Sequence, residues 1–162
     1  MRKNSGFSLM ELLTVIGILA VLAAIAIPGL IGWRNKAQLG RASQDMYSNF
    51  QRAKIEAARR NATVAITRAG NIFTVYVDSN GDFSPAGEDI IKTLDLSQYP
   101  GVSLDSLSFA NPVDGIAFAP NGFPINNLGS LASGEVVLKN QADIKNRISI
   151  TKAGNVRINH LG

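Results

Sequence analysis

From Leu12 to Ile27 the chain carries no charged residue, and the apolar run continues through Leu30, Ile31 and Trp33. Read as a helix, Phe7 to Trp33 spans about 40 Å at 1.5 Å per residue, enough to cross a bilayer core of about 30 Å. The pattern then changes to a helical period. Leu39, Ala42, Met46, Phe50, Ala53 and Ala57 recur at spacings of three and four, so residues 34–61 read as an amphipathic helix with one core-facing stripe. Pro28 removes a hydrogen bond to the carbonyl of Ala24 and predicts a kink or local melting there.

From Ala62 onward the texture is β. Thr63 to Thr67 and Asn71 to Val77 flank Arg68-Ala69-Gly70 as a hairpin, with Ile72, Thr74 and Tyr76 alternating against Phe73, Val75 and Val77. Ile90 to Leu96, Val102 to Phe109, Gly115 to Ala119, Gly134 to Leu138, Arg147 to Thr151 and Asn155 to Asn159 are further strands, and Lys152-Ala153-Gly154 is a tight turn. Short sequential strands with small turns pair antiparallel. The fold class is therefore α+β: a long N-terminal helix, its first half transmembrane and its second half amphipathic, packed on one or two antiparallel sheets.

Composition bounds the chemistry. The chain has 162 residues, enough for one membrane helix and one modest soluble domain. It has no cysteine, which excludes disulfides, thiolate metal sites and cysteine nucleophiles. The formal charge of +4 is unevenly spread. Arg34 to Arg68 hold eight Lys/Arg against Asp45 and Glu56, Ala69 to Leu138 hold Lys92 against eight acids, and Lys139 to Gly162 hold five Lys/Arg against Asp143. A basic helix, an acidic middle and a basic tail point to head-to-tail matching between subunits or to a polyanion partner, set against chance clustering on a solvated surface.

The start of the chain is the most specific motif. Lys3-Asn4-Ser5-Gly6-Phe7-Ser8-Leu9-Met10-Glu11 places basic residues and a glycine just outside the apolar run and a single carboxylate, Glu11, just inside it. An intramembrane acid is costly unless paired, and so marks function. Arg2 and Lys3 put the N-terminus in the cytoplasm by the positive-inside rule. A secretory signal cleaved near Ala23-Ala24-Ile25-Ala26 is the rival, but its apolar core would be shorter. The arrangement resembles the prepilin signal of type IV pilins and type II secretion pseudopilins. That resemblance implies a leader peptide of residues 1–6, cut by prepilin peptidase between Gly6 and Phe7, N-methylation of Phe7, and pairing of Glu11 with a neighbour's N-terminal amine to set register. It implies a transmembrane assembly helix over 7–33, bending or unwinding at Pro28 in the filament, and a soluble periplasmic domain over 34–162, with its β-rich part at 62–162. The partners implied are other pilin subunits, the peptidase, the inner membrane and its assembly platform.

Downstream, Ala53 to Ala62, Val75-Tyr76-Val77-Asp78, Phe118-Ala119-Pro120-Asn121-Gly122 and Ile148 to Ile158 resemble the GspH/FimT group of minor pseudopilins and minor pilins. The expected function is a minor structural subunit of a type IV pilus or a type II secretion pseudopilus. The alternatives are a major pilin, or a DNA-binding pilin of the FimT kind serving natural transformation.

Candidate chemistry is otherwise sparse. No phosphate loop or catalytic carboxylate pair stands out, and the only histidine, His160, reads as a frayed terminal residue, so no enzyme is expected. Asp78-Ser79-Asn80-Gly81-Asp82-Phe83-Ser84 resembles half of an EF-hand loop, with Asp78, Asn80, Asp82 and Asp89 as calcium ligands. Phe83 stands where that loop wants glycine, and an acidic hairpin loop explains the same residues. Lys145, Arg147, Lys152 and Arg157 form a basic tail for DNA or subunit contacts. DNA-binding pilins carry a glycine followed by two arginines at alternate places. Here Gly154-Asn155-Val156-Arg157 keeps only the second, and no aromatic interleaves the tail to stack bases.

Overall fold

The computed structural model describes residues 8–109 and 114–161, with the backbone alone at Pro28. One helix, α1, runs over Leu9–Arg60. Nine strands follow among the described residues: β1 (Val64–Ala69), β2 (Ile72–Val77), β3 (Asp89–Asp95), β4 (Val102–Phe109), β5 (Gly115–Phe118), β6 (Pro124–Ile125), β7 (Gly134–Asn140), β8 (Lys145–Ile150) and β9 (Val156–Leu161). The chain divides into two compact units after Arg34. The first holds the apolar part of α1; the second holds the rest of the helix and all the described strands.

The backbone stays helical through Pro28, so the local melting expected there is absent from this conformation. Pro28 removes one bond of the ladder, while the residues before and after it remain helical. The helix ends where the sequence says it should. Asn61 takes φ 49°, the Asn61 amide donates to the Ala58 carbonyl at 3.4 Å, and the Ala62 amide donates to the Ala57 carbonyl at 3.2 Å. That is a Schellman ending, which uses the last free carbonyls and places Arg59 and Arg60 at the negative end of the helix dipole.

The strands form two antiparallel sheets: one of five in the order β3-β2-β1-β5-β6, the other of four in the order β4-β7-β8-β9. The helical stripe read from the sequence is the core. Leu39, Ala42, Met46, Phe50, Ala53 and Ala57 are all at most 2 % exposed. They pack in one cluster with Val64, Ile66, Phe73 and Val75 of the first sheet and Val136, Leu138, Ile148 and Ile150 of the second. At about 1.5–3 kcal/mol for each large side chain withdrawn from water, this cluster is the main term holding the unit together. Phe50 also meets Phe109 edge-on, ring centroids 6.5 Å apart. Gly134 is required where β4 and β7 meet, because a Cβ there would lie 2.2 Å from the Phe109 ring.

The far face of the first sheet carries a second, smaller cluster of Ala65, Tyr76, Phe83 and Ala117. Burial of its ring in this cluster holds Phe83 at φ 57°, a backbone angle that bulky residues rarely take. The two-residue strand β6 and a short 3-10 turn at Leu96–Gln98 were not foreseen, because neither is long enough to show a period.

Candidate assembly site

Gly6 and Phe7 lie outside the described residues. Glu11 sits in the first turn of α1, where its amide and that of Leu12 both donate to the Ser8 carbonyl at 3.1 Å. A carboxylate in this turn faces the positive end of the helix dipole, which favours its charge by a few tenths of a kcal/mol. The residues that follow are bare. Leu12, Leu13, Ile16, Leu19, Leu22 and Ile25 are each more than half exposed, and an 18-residue window of α1 reaches a mean hydropathy of 2.6 with none of it buried. At about 25 cal/mol per Å² such a surface is strongly unfavourable in water, so lipid or other apolar helices must cover it. Thr14, Gly17, Ile18, Val21 and Leu22 line a shallow apolar groove of about 380 Å³, with Gly17 leaving the space.

The basic tail is less free than its sequence implies. Lys145 and Lys139 each reach Asp105 at 2.9 Å, and Arg147 Nε lies 3.3 Å from Glu135, too poorly aligned for a hydrogen bond. Hydrogen bonds from Lys139 and then Lys145 hold the Asp105 carboxyl below its ordinary range, and Asp105 raises the Lys145 ammonium. Thus Lys145 and Arg147 are engaged across their own sheet. Only Lys152 and Arg157 of the four are exposed without an ion pair among the described residues. Gly154 has a packing reason of its own: it takes φ 76°, its carbonyl accepts from Lys54 Nζ at 3.0 Å, and a Cβ would lie 2.6 Å from the Gly122 carbonyl oxygen.

Of the four residues read as calcium ligands, Asn80 and Asp82 are joined by a hydrogen bond at 2.9 Å. Asp89 pairs with Arg60 of α1. Asp78 accepts from the Gly81 amide, Asn80 from the Asp82 amide, and Asp82 from the Ser84 amide and the Asn80 side chain. No three acidic or histidine side chains gather around a cation position among the described residues. Asp78 is almost wholly buried and one of its oxygens lacks a partner, so burial pushes its carboxyl upward.

His160 is not frayed. It lies in β9 opposite Asn146 of β8, and its Nδ1 stands 2.8 Å from Asn146 Oδ1. Asn146 Nδ2 in turn donates to Ser43 Oγ at 3.0 Å, and Ser43 donates to the Leu39 carbonyl at 2.7 Å. Because the Asn146 amide nitrogen is already a donor to Ser43, its oxygen accepts, and His160 carries its proton on Nδ1. This relay ties the last strand to the helix. Serine, asparagine and histidine so far apart in sequence gave no local signal of it.

A bare apolar helix with one acid in its first turn, continued into a helix-backed pair of antiparallel sheets, defines a membrane-anchored structural subunit of the pilin type. The comparisons with known proteins agree. Residues 42–162 match the family described as type II transport protein GspH, and residues 1–27 match the prokaryotic N-terminal methylation motif. The chain belongs to the GspH family of minor pilins and pseudopilins. It is 32% identical to the pilin-like protein PilA1 of Thermus thermophilus over 124 residues, which cover 74% of this chain and 78% of that one. Over 46 residues, 28% of this chain and 32% of the relative, it is 41% identical to type II secretion system core protein G of Vibrio cholerae. Two solved structures share its fold. The minor pilin FimU of Pseudomonas aeruginosa has a TM-score of 0.60 at 15% identity, covering 78% of this chain and 92% of that one. The minor pseudopilin EpsH of Vibrio cholerae has a TM-score of 0.59 at 12% identity, covering 77% and 98%.

Proposed function

We propose that this chain is made as a prepilin, cut between Gly6 and Phe7 by a prepilin peptidase, N-methylated at Phe7, and passed by an inner-membrane assembly platform into a type IV pilus or type II secretion pseudopilus. Before assembly the apolar part of α1 lies in the inner membrane with its N-terminus in the cytoplasm and the unit from Asn35 on the periplasmic side. The observation that carries this is the unburied apolar length of α1 headed by one carboxylate. Nothing within the helix neutralises Glu11, whereas a neighbour's amine at Phe7 would do so once subunits stack. The work of the molecule is assembly, with no chemical step.

The FimT-like DNA-binding alternative loses support, since Lys145 and Arg147 already face acids of their own sheet. The test is Glu11→Val. It should leave the protein in the membrane with its domain folded and reduce its share of sheared filaments by about tenfold or more, as loss of a buried charge pair implies. Incorporation equal to wild type would refute the pairing role of Glu11.

A further inference from the structure

A sheet edge offers unpaired backbone groups to any extended chain unless something blunts it. Among the described residues the two sheets end in four edge strands, β3, β6, β4 and β9. The first three are blunted. β3 is bulged at Ile91 and carries Lys92 at its centre, β4 is bulged at Asp105, and β6 has only two residues. β9 has six residues in unbroken register with β8, with no proline and no bulge. Its one charged residue, Arg157, stands near its start.

Which backbone groups of β9 are free follows from its turn. Where β8 turns into β9, the Thr151 amide donates to the Asn155 carbonyl at 3.0 Å. Bonded pairs alternate along an antiparallel ladder, so Arg157, Asn159 and Leu161 bond back to β8. Ile158 and His160 then direct their N–H and C=O groups to the open side. No backbone bond from elsewhere in the described residues reaches those four groups. They stand at the spacing that an added strand pairs with.

The side chains at this edge define the occupant. On the inner face Ile158 is half-buried, and His160 lines a groove of about 360 Å³ floored by Leu39 and Ile144. Gly40 keeps the groove open, with no atom within 4 Å of where a Cβ would stand. On the outer face Arg157 and Asn159 are exposed, and Arg157 has no carboxylate partner among the described residues. An added strand that fits both faces carries apolar side chains toward Ile158 and the groove and an acid opposite Arg157. Unpaired charge alone singles out nothing on this domain; the open edge with a groove at its end does. β9 itself holds no acid, so two copies joined β9 to β9 leave both arginines unanswered. The fit is to a different chain.

We infer that β9 is a docking edge: an extended segment of a different chain adds to the four-stranded sheet as a fifth strand, antiparallel to β9, with an acid beside Arg157 and an apolar residue at the groove. The docking stands whether or not the chain enters a filament. Asn159 is placed to report it. Toward the open side it takes a non-hydrogen-bonded position, where opposed Cα atoms stand about 4.5 Å apart, within disulfide range. The chain has no native cysteine to compete. The full-length Asn159→Cys chain in detergent is equilibrated with the peptide Thr-Val-Cys-Val-Glu-Val-Thr in a buffer of reduced and oxidised glutathione. The control is the same peptide N-methylated at its first two valines, whose amides would meet His160 and Ile158.

The unmethylated peptide should be captured about tenfold more than the methylated one, as two backbone hydrogen bonds imply. On Thr93→Cys, at the bulged edge of β3, the two peptides should be captured equally. Lysine in place of the peptide's glutamate should lower capture on Asn159→Cys about two- to threefold, the share of one exposed ion pair. Equal capture of the two peptides on Asn159→Cys, or the same preference on Thr93→Cys, overturns the inference. Capture indifferent to the lysine exchange overturns the part given to Arg157. A disulfide dimer of the chain formed in preference to peptide capture gives the edge to a second copy and also overturns it. Each of these leaves the assembly role standing.

Discussion

Asn146→Ala tests whether the buried relay from His160 to the helix holds the last strand in place. The side chain is 3% exposed and makes two bonds, 3.0 Å to Ser43 Oγ and 2.8 Å to His160 Nδ1. Each such bond contributes about 1 kcal/mol net. Ser43 still donates to the Leu39 carbonyl after the change, and His160 is exposed and can turn to water, so neither is left stranded. Loss of the buried side chain's packing adds a smaller term. The expected cost is about 2–3 kcal/mol, a large share of the 5–15 kcal/mol of an ordinary domain. The assay is urea denaturation of residues 35–162, which contain every buried core side chain among the described residues. Ser43→Ala should cost less, and the double variant should show a coupling of about 1 kcal/mol between the two sites. A cost below about 0.5 kcal/mol with additive singles would refute the relay.

Two further changes follow from the same geometry. Asp105 and Glu56 are held below their ordinary range by cationic partners, so the stability they contribute is present above the unfolded carboxylate value and is lost as pH falls through their lower folded values. Asp78 has the opposite sign: burial raises it, so its ionised form costs stability at neutral pH and protonation relieves that cost as pH drops. Asp105→Asn should therefore flatten the acid side of the stability curve and Asp78→Asn the region just above it, both read from urea midpoints across pH. Gly154→Ala should destabilise by about 1–3 kcal/mol through its left-handed φ and its approach to the Gly122 carbonyl, seen as a lowered thermal midpoint.

The helix and most strands were legible because burial repeats at a fixed period. All six stripe residues of α1 are core, and the alternation in Ile72 to Val77 lies in β2. What periodicity could not carry was long-range pairing. His160 looked terminal because nothing near it in sequence is its partner, yet Asn146 and Ser43 meet it across strand and helix. The basic tail looked free for the same reason, since Asp105 and Glu135 are distant in sequence but adjacent across β4, β7 and β8. In the acidic loop, Asp, Asn and Ser at alternate positions satisfy the turn with their own side chains, a pairing that residue types alone do not separate from a ligand set. The assembly motif was legible as residue types at fixed spacing.

The most direct measurement is the mass of this chain's N-terminal peptide, taken from purified filaments or pseudopili. Processing as proposed gives a peptide that begins at Phe7, carries one methyl group on its amine, and disappears when Gly6 is replaced by Val. A chain that begins after Ala26, or one that is absent from the filament while its domain is found free outside the membrane, would contradict the account at its root.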